Sequence, residues 1–147
     1  MALNELPYIH AKAVMTITSP AIDLSCVMRT VSLTAATATI DIGSQCAPGA
    51  QAPGIVTWTL NAEMLVTYDS VAAEGDGLWN QLSAIAGDLV TMTLKPKDAT
   101  VSTMNPLATF TMYMPTIDFL NVTALGEKSL WTLNQATASV PVVTVAP

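Results

Sequence analysis

One long alternation of apolar and polar residues constrains this chain more than any other feature of its sequence. Over residues 56–68 every second residue is apolar, and those between are polar except Leu65. A period of two belongs to an extended strand, because successive side chains point to opposite faces of the sheet. The pattern predicts a long strand with one face in a core and the other toward water or a lumen.

Shorter patterns predict the other elements. Residues 28–42 fit either one long strand or two short ones, and further strands are predicted over 13–17, 90–94, 108–114, 129–134 and 139–145. Leu78, Trp79 and Leu82 begin a helical spacing that continues to Ala86. With Asp76 as N-cap and Gly87 as the stop, this spacing predicts a helix over about 76–87. The sequence therefore predicts a mainly β fold, an antiparallel β-sandwich or partial barrel with one flanking α-helix.

The parity of these patterns also predicts a core. The predicted core residues lie on the apolar faces of the strands and the helix: Trp58, Leu60, Met64, Trp79, Leu82, Phe110 and Met112. A chain of 147 residues is the size of one domain, so we expect a single domain over 1–147. We expect residues 1–10 and 137–147 to be terminal arms. The segment 44–54 contains Pro48 and Pro53, which predicts a loop that cannot continue a strand.

Charge is scarce in this chain. Charged residues make up 11% of it, where a soluble domain usually carries about 25%, and threonine occupies twenty positions. A surface left to hydroxyl and apolar groups favours association, so we expect part of it to be a subunit interface. The net charge of −6 argues against a basic nucleic-acid grip. No apolar run reaches about 18 residues and no signal peptide is recognisable, so we expect neither a membrane span nor secretion.

The sequence offers little for catalysis. His10 is the single histidine, so a catalytic triad, a two-histidine zinc site or a histidine base would each depend on it. Cys26 and Cys46 have no basic neighbour in sequence to lower a thiol pKa. Asp69, Glu74 and Asp76 lack the dense spacing of a calcium loop. We therefore expect no enzyme, no metal and no cofactor.

Three segments occur in a distinctive order: Cys46-Ala47-Pro48 with the run from Ile55 to Leu60, then Asp76-Gly77-Leu78-Trp79-Asn80-Gln81-Leu82, then Gly87-Asp88-Leu89-Val90 followed by Lys95-Pro96. Together they resemble the major tail proteins, or tail-tube proteins, of long-tailed siphovirus-type bacteriophages. The first segment resembles the opening of their long strand, the second their single helix and the third the next strand. The likeness covers roughly residues 46–136 and is greatest to tube proteins of phages that infect actinobacteria.

The resemblance implies a virion structural protein, made in the host bacterial cytoplasm, that forms stacked hexameric rings around a channel for genome DNA. Its partners would be further copies of itself, the tape measure, the tail terminator and the tail tip, and DNA would pass without sequence-specific binding. Cys46, Pro48 and Pro53 would form an inter-subunit loop. Glu63 is the best candidate for an acidic lumen residue. The predicted lumen-facing residues are Thr57, Thr59, Asn61, Glu63, Thr109 and Thr111.

Two alternatives stay open on the sequence alone. A tail terminator, a head–tail joining protein or a capsid-decorating subunit would share this composition and differ in oligomer size. A monomeric β-sandwich binding module belongs to another class and would be a soluble monomer with a concave aromatic site.

Overall fold

The computed structural model describes residues 12–69 and 77–146, of which strands are the dominant element. About half of these residues are in strands and about 5% are helical, and they form two antiparallel sheets and one short helix, with no closed barrel among them. The predicted mainly β fold with one helix is confirmed. The elements in chain order are β1 Val14–Thr18, β2 Ala21–Asp23, β3 Met28–Asp41, β4 Gln51–Leu65, α1 Leu78–Ala84, β5 Leu89–Lys95, β6 Leu107–Tyr113, β7 Leu130–Ala136 and β8 Val142–Thr144.

The two sheets face each other and share one core. One has the order β2-β1-β5-β6-β8 and the other the order β3-β4-β7. Each sheet contributes the apolar residues of its inner face, as alternation along the strands requires. Of the predicted core residues, five are buried: Leu60, Met64, Leu82, Phe110 and Met112. They join one cluster with, among others, Met15, Ile17, Met92, Met114, Trp131 and Leu133.

Strands β3 and β4 form a hairpin much longer than the sandwich. The sequence left residues 28–42 as one strand or two, and all of them except Ile42 form the single strand β3. It pairs with β4 along its whole length, whereas β7 pairs with β4 only from Leu65 to Thr59. The eight residues of β4 before Thr59 therefore extend beyond β7 by about 27 Å at 3.4 Å per residue. We call this part, residues 34–58 with its turn, the projecting hairpin.

The prediction that residues 44–54 cannot continue a strand is wrong for the last four of them, 51–54. Strand β4 begins at Gln51 and includes Pro53 and Gly54. The register shifts here, because Thr37 pairs with Val56 and Thr39 with Pro53. Proline is tolerated beside such a bulge and where a strand has a neighbour on one side only. Glycine is required because an added Cβ at Gly54 would lie 2.6 Å from the Ala38 carbonyl oxygen.

The helix closes one end of the sandwich and is shorter than predicted. It spans Leu78–Ala84, with Gly77 as its N-cap and no side-chain cap. Thr67 positions the first turn, since its hydroxyl accepts a hydrogen bond from the Leu78 N–H at 2.9 Å. Gly87 adopts a φ of 87° three residues after the helix has ended. The helix stops early because Ile85 leaves helical geometry, with a φ of −112°.

Several predictions fall on residues that lie outside the described ranges. These are the N-terminal arm 1–10 with His10, and Glu74 and Asp76 before the helix. In the C-terminal arm, residues 137–139 cross from one sheet to the other, and the Ala138 N–H donates to the Thr111 carbonyl at 2.7 Å. Strand β8 then pairs with β6, so Val142–Thr144 of this arm form an edge strand of the five-stranded sheet.

Candidate assembly surface

The projecting hairpin exposes several apolar residues, one of which, Val56, the alternation predicted to be covered. Ile55 is 84% exposed and Val56 is 46% exposed, although Val56 lies in register with the buried Leu60 and Met64. Ile40 and Ile42, on the other strand, are also exposed. Two other segments, 119–125 and 140–145, also expose several apolar side chains. Grouped exposed apolar residues mark candidate contact surfaces, and the projecting hairpin is one of three such groups.

Strand β3 is also an unpaired edge. It has β4 as its only neighbour in the described part of the chain, and it is fourteen residues long. Its sequence, Met-Arg-Thr-Val-Ser-Leu-Thr-Ala-Ala-Thr-Ala-Thr-Ile-Asp, contains no proline and no lysine. Natural proteins usually protect an edge with such residues, or by keeping it short, because its free N–H and C=O groups recruit other strands.

The outer face of the three-stranded sheet is polar and almost free of charge. Thr57, Thr59, Asn61 and Glu63 lie on this face, because their neighbours in β4 point into the core. Residues directly opposite one another in an antiparallel pair share a face. The partners of these four in β3 and β7 add hydroxyl, amide and methyl groups: Thr30, Ser32, Thr34, Ala36, Thr132, Asn134 and Ala136.

Thr109 and Thr111 lie on the opposite side of the molecule. They are on the outer face of the five-stranded sheet, where they pair with Thr93 and Thr91. The two outer faces point away from each other because both sheets bury their inner faces in one core. The six predicted lumen-facing residues therefore lie on two opposite outer faces of the subunit, four on the three-stranded sheet and two on the five-stranded sheet.

Glu63 does not present an isolated negative charge. Its carboxylate lies 3.4 Å from the guanidinium of Arg29, and 35% of its side chain is exposed. Arg29 reaches it because β3 has an extra residue between Met28 and Thr30 at this point of the register. The bulge places Arg29 beside the polar face. Glu63 was expected to make this wall negatively charged, and Arg29 beside it offsets that charge.

Of the predicted inter-subunit loop, two residues lie in the turn and one in a strand. Cys46 and Pro48 belong to the turn between β3 and β4, and Cys46 is a free, exposed thiol. Pro53 lies in β4. The turn is closed by Asp41, whose carboxylate accepts a hydrogen bond from the Gly43 N–H at 2.8 Å. The turn is therefore an ordered tip at the far end of the projecting hairpin.

Two of the predicted core tryptophans are only half-buried. Trp58 lies at the rim of the sandwich, where its carbonyl accepts a hydrogen bond from the Thr137 N–H at 2.9 Å. It lines a shallow cleft between β4 and the crossing segment, with Val56 and Val140. Trp79 contacts the core from the helix and packs edge-to-face on Phe119 at 5.0 Å between ring centroids. Trp58 falls outside the core because β7 ends one residue short of it.

A cavity of about 480 Å³ opens at the end of the sandwich where β1 begins. Its lining, which we call the groove, consists of Ala13, Val31, Leu33, Leu94, Lys95, Pro96, Pro106, Ala108 and Val143. Close by, the ammonium of Lys12 lies 3.3 Å from the Asp98 carboxylate. This hydrogen bond raises the pKa of Lys12 above its usual range. The groove is apolar, with Lys95 as the one charged residue of its lining and an ion pair beside it.

Asn105 holds the groove wall in place, and sequence patterns gave no sign of it. The residue is fully buried, and its side-chain amide donates to the carbonyls of Lys97 at 3.1 Å and Ala99 at 2.9 Å. Its carbonyl oxygen accepts from the Lys97 N–H at 3.0 Å. These bonds replace the strand partners that the segment between Pro96 and Pro106 lacks. In the sequence, a single asparagine between two prolines has the pattern of an ordinary loop residue, so its structural role is not visible there.

Within residues 12–69 and 77–146, no three histidine, cysteine or acidic side chains come together as metal ligands would. The same ranges contain no helix with the length and apolar character needed to cross a membrane. Searches of protein-family models and of curated proteins find no match to this chain.

Proposed function

We propose that this chain is a self-assembling structural subunit of a virion, the tail-tube protein of a long-tailed phage. The observation that carries the proposal is the β3 edge, which is fourteen residues long, uncharged from Thr30 to Ile40 and continuous with the projecting hairpin; its two charged residues and its bulge lie at its ends. A monomer with such an edge would tend to aggregate, whereas a subunit can pair the edge with its neighbours. Closure of the three-stranded sheets of successive subunits into a ring would pair both edges of that sheet, β3 and β7.

The polar face of the three-stranded sheet is our candidate for the channel wall. It presents hydroxyl and amide groups around Thr57, Thr59 and Asn61, and its one carboxylate, Glu63, is paired with Arg29. A wall of this kind offers DNA phosphates no cluster of cations to bind. The duplex would meet a hydrated, nearly neutral surface along which it can slide. In this proposal the outer face with Thr109 and Thr111 lies away from the channel.

The test is assembly of the purified protein, with and without tail-tip components that nucleate tube growth. Light scattering should report rings or longer polymers, and negative-stain microscopy should show particles of one fixed diameter. Thr34→Lys with Ala36→Lys adds two charges along the β3 edge and should abolish assembly while the monomer stays folded. Thr116→Lys, at an exposed position outside the strands, is the matched control and should assemble normally.

The result also separates the alternatives. A single ring that never stacks would favour a terminator or head–tail joining subunit. A sharp monomer at high concentration, unchanged by tail-tip components, would contradict the proposal and favour a monomeric binding module.

A further inference from the structure

We infer that residues 3–9, near the N-terminus, dock in the groove of their own chain. They precede the described range, and what locates them is the point at which they join the fold. The contact lies within one subunit, so it does not depend on the proposed self-assembly. It is supported by the chemistry of the groove, by the place where the chain enters it, and by the length, composition and charge of the segment.

The groove presents apolar side chains at the edge of the core. Leu94, Ala108 and Val143 form a row across the inner face of β5, β6 and β8, because Leu94 pairs with Ala108 and Ala108 with Val143. Val31 and Leu33 line the groove from the other sheet. Val143 is 60% exposed although it is on the inner face. A cavity of about 480 Å³ with such a lining is suited to several apolar side chains.

The chain enters the fold at this groove. Ala13 lines it, one residue before β1 begins. The ladder between β1 and β5 ends here, since the next position of β5 is Pro96, which has no N–H to donate. Lys12 is the first described residue, and its ammonium lies 3.3 Å from the Asp98 carboxylate. The residues before Lys12 therefore start from the mouth of the groove.

The segment is long enough to cross the groove. From β1 to β8 the sheet has three strand-to-strand steps, which amount to about 14 Å at roughly 4.8 Å each. Five extended residues span about 17 Å, so a chain that continues from Ala13 reaches β8 at Tyr8. Residues 3–7 are then within reach of the rest of the lining.

The composition of the segment suits an apolar cavity. Leu3, Leu6, Tyr8 and Ile9 are large apolar or aromatic residues. Pro7 favours an extended backbone and has no N–H, which leaves one donor fewer to be satisfied away from a strand partner. Docking removes apolar surface of both the segment and the groove from water, and this favours the contact.

Charge fits the same arrangement. Lys95 is the one charged residue of the groove lining, and its ammonium donates to the Ala99 carbonyl at 3.0 Å. Neither of the two ion pairs formed within residues 12–69 and 77–146 includes Lys95. Glu5 is the only acidic residue before Lys12, and it stands between Leu3 and Leu6. Docking of these leucines would bring the Glu5 carboxylate to the ammonium of Lys95.

The tether favours the chain's own segment over that of a second copy. Ile9 is four positions before Ala13, which already belongs to the groove. A linker this short holds the segment at an effective concentration in the millimolar range, roughly a thousandfold above that of other copies at micromolar concentration. The groove is therefore occupied from within.

The experiment measures disulfide formation in the full-length protein, in a Cys26→Ser, Cys46→Ser background. The test variant adds Leu6→Cys and Val143→Cys, and the matched control adds Leu6→Cys and Val142→Cys. Val142 and Val143 are neighbours in β8 and are 65% and 60% exposed, but only Val143 lines the groove. On mild oxidation at low protein concentration, we expect the intrachain disulfide to form at least about tenfold faster in the test variant. Mass spectrometry of mixed labelled and unlabelled chains separates bonds within a chain from bonds between chains.

A second pair of variants repeats the comparison on the other sheet. Leu33 lines the groove, whereas Ser32, its neighbour in β3, points to the opposite face. Each is replaced by cysteine together with Leu6→Cys, and Leu33→Cys should again react faster than Ser32→Cys. This pair decides the question if Val143→Cys prevents folding.

Each outcome decides. Equal rates at groove and control positions would show that the segment lies elsewhere, and bonds formed mainly between chains would assign the groove to a second copy. Either result overturns the inference. Light scattering of the same samples reports assembly separately. A preference for the groove in a protein that stays monomeric would leave the inference standing while the proposed function fails, and assembly without that preference would do the reverse.

Discussion

The two halves of β4 differ in burial although their sequences alternate in the same way. Leu60, Ala62 and Met64 are fully buried. Val56, which lies four residues before Leu60 on the same face of the strand, is about half exposed. Both halves pair with β3, but only the later half also has β7 beside it and the five-stranded sheet beneath it. Periodicity thus identifies the apolar face of a strand and does not say what covers it. An apolar face that continues past its cover indicates a contact made by another molecule.

The largest effect should come from truncation in the covered half. Leu60→Ala should lower the free energy of unfolding by about 2–5 kcal/mol, because it leaves a cavity in a fully buried site. Val56→Ala, on the same face of the same strand, should change it by no more than about 0.5 kcal/mol. Urea unfolding at a protein concentration that keeps the chain monomeric measures both. Equal costs at the two positions would mean that the alternation is covered along its whole length.

Trp58 lies at the boundary between the halves and gives an intermediate test. Because its side chain is only half-buried, Trp58→Ala should cost less than the roughly 3–5 kcal/mol of a buried tryptophan. The variant should therefore fold, while assembly should weaken if the cleft lined by Trp58 and Val140 is a contact surface. Thermal unfolding and light scattering on the same samples separate the two effects. Loss of soluble, folded monomer would place Trp58 in the core after all.

The fold class and most of the core could be predicted from the sequence because both depend on local periodicity. Strands β1, β5, β6 and β7 lie within a few residues of their predicted positions, and five predicted core residues are buried. The face of each side chain follows from parity alone. Parity does not say which sheet a strand joins, so Thr59 and Thr109 were grouped although they lie on opposite sides of the molecule.

Features that depend on partners distant in sequence could not be predicted. Pro53 reads as a strand breaker, yet the bulge opposite Ala38 accommodates it. Arg29 and Glu63 are 34 positions apart, and a bulge in β3 brings them together. The role of Asn105 depends on carbonyls that a loop turns toward it. In each case a tertiary contact outweighs the local preference of the residue.

A smaller effect is expected from Gly54, in the projecting half. Gly54→Ala introduces a Cβ only 2.6 Å from the Ala38 carbonyl, so the hairpin must shift at its bulge. Because the core lies elsewhere, the free energy of global unfolding should fall by at most about 1 kcal/mol. Hydrogen exchange should instead accelerate at the amides of residues 37–56 alone. Faster exchange at Leu60 or Met64 as well would show that the two halves unfold as one unit.

The smallest effect concerns the ion pair on the polar face of the covered half. Arg29 and Glu63 lie 3.4 Å apart with 52% and 35% of their side chains exposed, so solvent screens their attraction. A double-mutant cycle with Arg29→Gln and Glu63→Gln should give a coupling of about 0.2–1 kcal/mol, and high salt should reduce it. Glu63→Lys brings two positive charges together, so it should cost slightly more than Glu63→Gln, and the difference should shrink in the Arg29→Gln background. If the face lines the channel, phage with Glu63→Lys should assemble normally and eject DNA more slowly, because each ring then presents unpaired cations to the phosphates. If ejection is normal and the measured coupling lies inside the stated range, the ion pair is real but the channel wall must be another face of the subunit.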